Sequence, residues 1–130
     1  MEQPRPRALV VENDTLVGAV ISAFLEELGF DVEVVQDAGS ALDHIGMQLP
    51  DLLVSDVMLE GGMNGGDLAV RVRQAHPGLP VLLTSGYDRG SLPRSCDGFR
   101  LLQKPYTFEC VASAVSEAAA ATPPVEPAAL

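Results

Sequence analysis

Five times along 130 residues, a short apolar run gives way to a stretch with helical spacing, and that order restricts the fold more than any other feature. The runs are "RALVVE" (7–12), "FDVEVVQ" (30–36), "DLLVSD" (51–56), "VLLTS" (81–85) and "FRLLQKP" (99–105). Each is long enough for a strand and too short for a helix. The first and third are nearly continuous apolar side chains, as strands covered on both faces require. The second alternates Phe30, Val32 and Val34 with polar neighbours, as a strand nearer a sheet edge does. Strands that alternate with helices pair in parallel, because the helix carries the chain back to the starting end of the sheet. The chain is therefore expected to form one α/β domain: a five-stranded parallel sheet with helices on both faces.

In "NDTLVGAVISAFLEELG" (13–29), Leu16, Val17, Val20, Ile21, Phe24, Leu25 and Leu28 share one helical face, and Gly29 supplies the stop. Asp37 can cap a second helix, with Ala41, Leu42 and Ile45 inward. "GGDLAVRVRQAHPG" (65–78) reads as a third, ended by Pro77-Gly78, and Thr107 can cap a closing helix that runs into alanines. Pro50 and Pro80 stand just ahead of the third and fourth strands. In "GYDRGSLPRSCDG" (86–98) the alternation demands a helix that Gly90 and Pro93 oppose, so a short or displaced helix, or a loop, is expected. Residues 1–6 are expected to be a flexible N-terminus and 122–130 a disordered, proline-punctuated tail.

With 8 Lys and Arg against 18 Asp and Glu, the chain carries a formal charge of −10. Such a surface does not neutralise phosphates, so neither nucleic acid nor an anionic membrane is expected as a partner. A basic or mixed-charge protein, or a bound cation, suits it better. No apolar stretch approaches a membrane span, and "MEQPRPR" does not open a signal peptide. The expectation is a cytoplasmic protein in which Cys96 and Cys110 are reduced thiols. No second module is recognised after residue 121, which points to a stand-alone domain, with homodimerisation across the last helix as one way to use it.

In parallel α/β sheets, ligands sit beyond the carboxyl ends of the strands. Those ends carry Glu12, Asn13 and Asp14 after the first strand, Asp56 after the third, Thr84, Ser85 and Gly86 after the fourth, and Lys104-Pro105 after the fifth. A carboxylate on the last rung of a buried strand is costly unless it is paired. Lys104 and a divalent cation are the expected partners of Asp56. Hard oxygen donors from two loops suit Mg²⁺ (or Mn²⁺), and a glycine-rich phosphate cradle is missing from the first turn. A carboxylate in such a place can attack phosphorus and form an acyl phosphate, while a cation and a lysine neutralise the transferring oxygens. A hydroxyl on strand four can then bond the new phosphoryl oxygen, a natural switch.

The segments "LVVEND" (9–14), "LLVSDVML" (52–59), "PVLLTSGY" (80–87) and "LLQKPYT" (101–107) together closely resemble the receiver domain of two-component response regulators, over about residues 7–121. The resemblance implies a doubly wound, flavodoxin-like sheet of strand order 2-1-3-4-5. It also implies a signalling domain rather than an enzyme, phosphorylated by a histidine kinase or histidine phosphotransfer protein. On the matching positions, Asp56 would be the phosphoacceptor and Lys104 the phosphate-binding lysine, ahead of the family's proline, Pro105, whose bond is often cis. Ser85 would be the switch hydroxyl and Gly86 the small residue after it. The resemblance places a metal on Glu12, Asn13, Asp56 and the backbone carbonyl of Met58, with Asp14 helping through water.

The chain departs from the family pattern in three places. The second acid after strand one is an amide, Asn13, from which weaker metal affinity is expected. The loop "LEGGMNGG" (59–66) is one residue longer than usual. The aromatic three residues before the lysine is Leu101, which puts the usual hydroxyl–aromatic coupling in question. Tyr87, expected to be partly buried, and Met58 lie where members tune water access to the acyl phosphate. Both are bulky and neither positions water, so slow self-hydrolysis is expected. The "TSGY" and "GGMNGG" wording is most like receivers attached to, or paired with, hybrid sensor kinases.

Taken singly, each residue has a plainer use: Asp56 as a turn former, Asp14 as a helix cap, Lys104 as a solvated lysine. The ordered set carries the reading. Two rivals remain: a pseudo-receiver that works unphosphorylated, suggested by Asn13 and Leu101, and a phosphatase-like hydrolase, whose second carboxylate is replaced by Met58.

Overall fold

The computed structural model describes residues 4–121; the expectations for residues 1–3 and for the 122–130 tail lie outside them. The alternation resolves into β1 (Arg7–Val11), α1 (Thr15–Glu27), β2 (Asp31–Val35), α2 (Ala38–Met47), β3 (Leu52–Asp56), α3 (Gly65–Ala75), β4 (Val81–Ser85), β5 (Arg100–Gln103) and α4 (Phe108–Ala121). All strand pairs are parallel, in the order β2-β1-β3-β4-β5. This is the doubly wound, flavodoxin-like topology.

The period of two along each strand divides the interior into two cores. Leu9, Val11, Leu53, Val81 and Leu83 meet Ala41 and Ile45 of α2 and Leu68 and Val72 of α3 on one face. Ala8, Val10, Leu52, Val54 and Leu82 meet Ile21 and Leu25 of α1 and Val111 and Ala114 of α4 on the other. Every residue of β3 and β4 is buried, whereas β2 is an edge with three exposed positions. Truncating a fully buried leucine in these layers to alanine is worth ~2–5 kcal/mol.

The predicted caps form. Asp14 accepts the amides of Leu16 and Val17, Asp37 that of Ser40, and the Thr107 hydroxyl that of Cys110. Gly29, at φ 104°, takes the left-handed turn that ends α1. Arg5 closes the same helix end from a distance by donating to the carbonyls of Glu26 and Gly29.

The apolar face of α1 is only partly covered: Leu16 is 75% exposed and Val20 41%, while Ile21 and Leu25 fill the core. The apolar stripe is wider than the strip that α4 and the sheet cover. The 86–98 segment holds no α-helix, only two three-residue 3-10 turns, Arg89–Ser91 and Arg94–Cys96.

At the carboxyl rim the ladder continues one rung past the strands. Glu12 N–H donates to Val35 O (2.9 Å), Val57 N–H to Thr84 O (2.9 Å) and Lys104 N–H to Ser85 O (2.7 Å). These bonds fix where each following side chain starts.

Candidate functional site

Lys104 leaves β5, yet its amine lies beyond β4, over the ends of β3 and β1. Nζ donates to Asp56 Oδ2 at 3.2 Å and to Glu12 Oε1 at 3.1 Å. Strands lie about 4.8 Å apart, so the ammonium spans roughly 10 Å of sheet to reach β3. The strand it crosses ends in small residues, Thr84, Ser85 and Gly86. The Lys104–Pro105 peptide bond is cis.

Both carboxylates are out of water, Glu12 at 4% and Asp56 at 7% exposure. Two buried anions facing one another are tolerable only with a cation between them. Lys104 supplies it, leaving a net charge of −1 on the three groups. Burial raises the Glu12 pKa and the Asp56 charge adds to that, against the lowering pull of the Asp14 amide and of Lys104. For Lys104, burial works against the ammonium, but Asp56 and Glu12 outweigh it and hold the amine above its ordinary value of 10.5. The remaining Asp56 oxygen, Oδ1, accepts the Met58 amide at 3.3 Å. The carboxylate is thereby aimed at the rim and not folded back into the sheet.

Ser85 is fully buried, and its Oγ accepts the Tyr87 amide at 2.9 Å, which leaves the hydroxyl hydrogen free to donate. Gly86 follows without a side chain. Asn13 is exposed and lines a cleft of about 640 Å³ at the same rim with Gln36, Asp37, Glu60 and Arg71. Asp14 commits one oxygen to the cap of α1. Tyr87, expected to be partly buried, is 58% exposed, as is Met58 at 55%. Leu101 packs against the α2–α3 core.

Among the described residues, no cluster of three or more His, Cys, Asp and Glu side chains is arranged around a metal position. The oxygen donors at the rim are two carboxylates, the Asn13 amide and main-chain carbonyls. That set suits Mg²⁺, which binds through one or two carboxylates and keeps several waters. The donor chemistry fits, with less negative charge than three acids would give.

Tyr106 escaped the sequence reading. Burial, then the charges of Glu12 and Asp56, push its phenol up to about 12, so it stays a neutral donor. Its ring stands edge-on to Phe24, with centroids 6.4 Å apart, and lines an apolar groove of about 470 Å³ with Leu16, Val17, Val20, Lys104 and Pro105. Its position directly after Lys104-Pro105 was the available signal. Gly65 was also missed: its N–H donates to Val57 O at 2.8 Å, and a side chain there would run into the carbonyl of Asp56.

Comparison with known proteins bears on this geometry. The profile of the response regulator receiver domain matches residues 8–116. The DNA-binding response regulator MtrA of Mycolicibacterium smegmatis is 39% identical over 89 residues, which is 68% of this chain and 38% of the relative's length. The receiver domain of NtrX from Brucella abortus superposes with a TM-score of 0.78 at 25% identity, covering 87% of this chain and 98% of that one. The signal receiver domain of an HD domain-containing protein from Pseudomonas fluorescens Pf-5 gives 0.81 at 23% identity, covering 92% and 90%, and speaks for the fold alone.

The MtrA match corrects the exclusion of nucleic acid. That relative is a DNA-binding regulator, and the stretch shared with it is 38% of its length. The charge of one such stretch therefore sets no limit on what the rest of an assembly contacts. Among the described residues no helix is long and apolar enough to cross a membrane. Fold and profile agree, and the chain belongs to the response regulator receiver domain family.

Proposed function

We propose that the domain accepts a phosphoryl group on Asp56 from a histidine kinase or histidine phosphotransfer protein, with Mg²⁺ as the cofactor, and so switches a protein–protein surface or passes the group on. The observation that carries this is the Lys104 ammonium placed between Asp56 and Glu12. In the reaction the phosphorus–nitrogen bond of the donor breaks as a bond from phosphorus to an Asp56 oxygen forms. Lys104 follows the charge that moves onto the phosphoryl oxygens, and the Ser85 hydroxyl hydrogen, which the Tyr87 amide leaves uncommitted, would bond one of them. Glu12, Asn13, Asp56 and the Met58 carbonyl would hold the metal, with Asp14 through water. When bound, the ion neutralises the equatorial oxygens.

Exposed Leu16 and Val20, with Pro105 and Tyr106, border Lys104 with apolar surface against which a phosphodonor protein can seat. On this reading the domain works in the cytoplasm, where such kinases deliver phosphate. On the pattern of MtrA, output reaches DNA through another part of the same assembly.

Acetyl phosphate with and without Mg²⁺, read by intact mass, tests the reading. A Mg²⁺-dependent gain of one phosphoryl group that Asp56→Asn abolishes supports it. No gain, or a gain that survives Asp56→Asn, defeats it in favour of an interaction module that works unphosphorylated. The exposed, bulky Met58 and Tyr87 position no water, so the acyl phosphate outlasts a few seconds; decay within seconds contradicts that part.

A further inference from the structure

A divalent cation at the rim would meet a net charge of −1 on Glu12, Asp56 and Lys104, one negative charge short of neutrality. Asn13, standing where the family pattern has an acid, contributes none. Three other carboxylates sit in the loops after β1, β2 and β3, and the structure gives them different partners. Asp14 Oδ1 accepts the amides of Leu16 and Val17. Asp37 caps α2 by accepting the Ser40 amide at 2.7 Å. Glu60 is exposed and, among the described residues, makes no hydrogen bond or ion pair.

Glu60 lines the same cleft as Asn13. It belongs to the loop after β3, the one that is a residue longer than usual. That loop leaves and returns at one point beside Asp56, because Leu59 N–H (3.1 Å) and Gly65 N–H (2.8 Å) both donate to Val57 O. Leu59 and Met63 pack partly against the α2–α3 core, and Gly61 and Gly62 turn between them at φ 95° and 94°. The two apolar anchors hold the loop down on either side and leave the Glu60 carboxylate at the cleft. Arg71 lines the cleft as well, but it forms no ion pair with Glu60.

We propose that Glu60 supplies the charge that Asn13 withholds, as the outer carboxylate of the divalent-cation site, acting on the ion through its waters. This rests on the proposed use of Mg²⁺ at the Asp56 rim. Mg²⁺ keeps several waters when bound, so a carboxylate beyond direct reach still counts towards its binding. The arrangement agrees with the finding that no three acidic, His or Cys side chains of the described residues close around a metal position. Outer partners of this kind change metal affinity by about 10–100-fold. An acid restored at position 13 would make Glu60 largely redundant.

The test reads Mn²⁺ binding to the unphosphorylated full chain, from the electron paramagnetic resonance signal of the free ion. Salt at physiological strength screens exposed charges more than about 8 Å apart. Glu60→Gln is expected to weaken binding roughly tenfold, with unchanged melting in metal-free buffer. Glu27→Gln removes an equal charge at the far end of α1 and is expected to leave binding as it is. In an Asn13→Asp background, Glu60→Gln should cost clearly less than in the wild type, because the two positions serve one charge. Wild-type affinity in Glu60→Gln, an equal loss in Glu27→Gln, or the same loss in both Asn13 backgrounds overturns the assignment and leaves the cation site standing. Wild-type binding that is absent, or that survives Asp56→Asn unaltered, removes the cation site itself and the role of Glu60 with it.

Discussion

The carboxyl rim is held together in two opposite ways on either side of β4. Towards β1 and β3, two carboxylates packed out of water, Glu12 and Asp56, are balanced by the half-buried ammonium of Lys104. Beyond β4, residues 86–98 are mostly exposed: Arg89 donates to the carbonyls of Cys96 and Phe99, Arg73 to that of Gly98, Leu92 packs partly against the core, and Cys96 is the one buried residue. The first region is costly to take apart, because each charge depends on the others for its solvation. The second is cheap, because water replaces most of what it loses.

The largest effect that would break this contrast is expected from Lys104→Met. It leaves two buried carboxylates uncompensated, a loss of about 3–5 kcal/mol in denaturant unfolding. Adding Glu12→Gln to it should recover much of that; a Lys104→Met protein of wild-type stability would show that the cluster is not a charge-balanced unit. Arg89→Ala should cost only about 1 kcal/mol globally. Its signature is faster amide hydrogen exchange confined to 87–98, with β3 and β4 unaltered.

The pH dependence sharpens the contrast further. Lys104 titrates above 10.5 in the fold, so the stability its ammonium contributes is present at all lower pH and lost as pH rises past that raised value. Glu12 titrates above 4.5, so the folded state takes up its proton first. This group's contribution is full below pH 4.5 and withdrawn as pH climbs through the raised value. Glu12→Gln should flatten the stability profile just above pH 4.5, while Arg89→Ala leaves it unchanged. The smallest effect on stability is expected from Leu16→Ser with Val20→Ser, within about 0.5 kcal/mol because both are exposed. The same pair should slow phosphotransfer from a kinase but not from acetyl phosphate, and equal slowing of both would remove the groove from the docking reading.

Much of the site was legible because strand-end residues need no tertiary detail: once β1, β3, β4 and β5 run parallel, Glu12, Asp56, Ser85 and Lys104 must fall on one rim. Tyr106 and Gly65 were harder to read, since their roles come from what lies opposite them and not from their own spacing. The same holds for Leu16 and Val20. Helical period marks an apolar stripe, but only the width of the neighbouring helix decides how much of it is covered.

By itself, the order of apolar runs and helical stretches determined the layers, the parallel sheet and the end of it that carries chemistry, because hydrophobic period and strand alternation are local properties of the chain. Only the tertiary structure decided that one ammonium serves two carboxylates, that Asn13 shares a cleft of the same rim with Glu60, and that Cys96 seats on Gly66. Those outcomes depend on distances between residues up to 92 positions apart, where packing and desolvation, and not local pattern, set the balance.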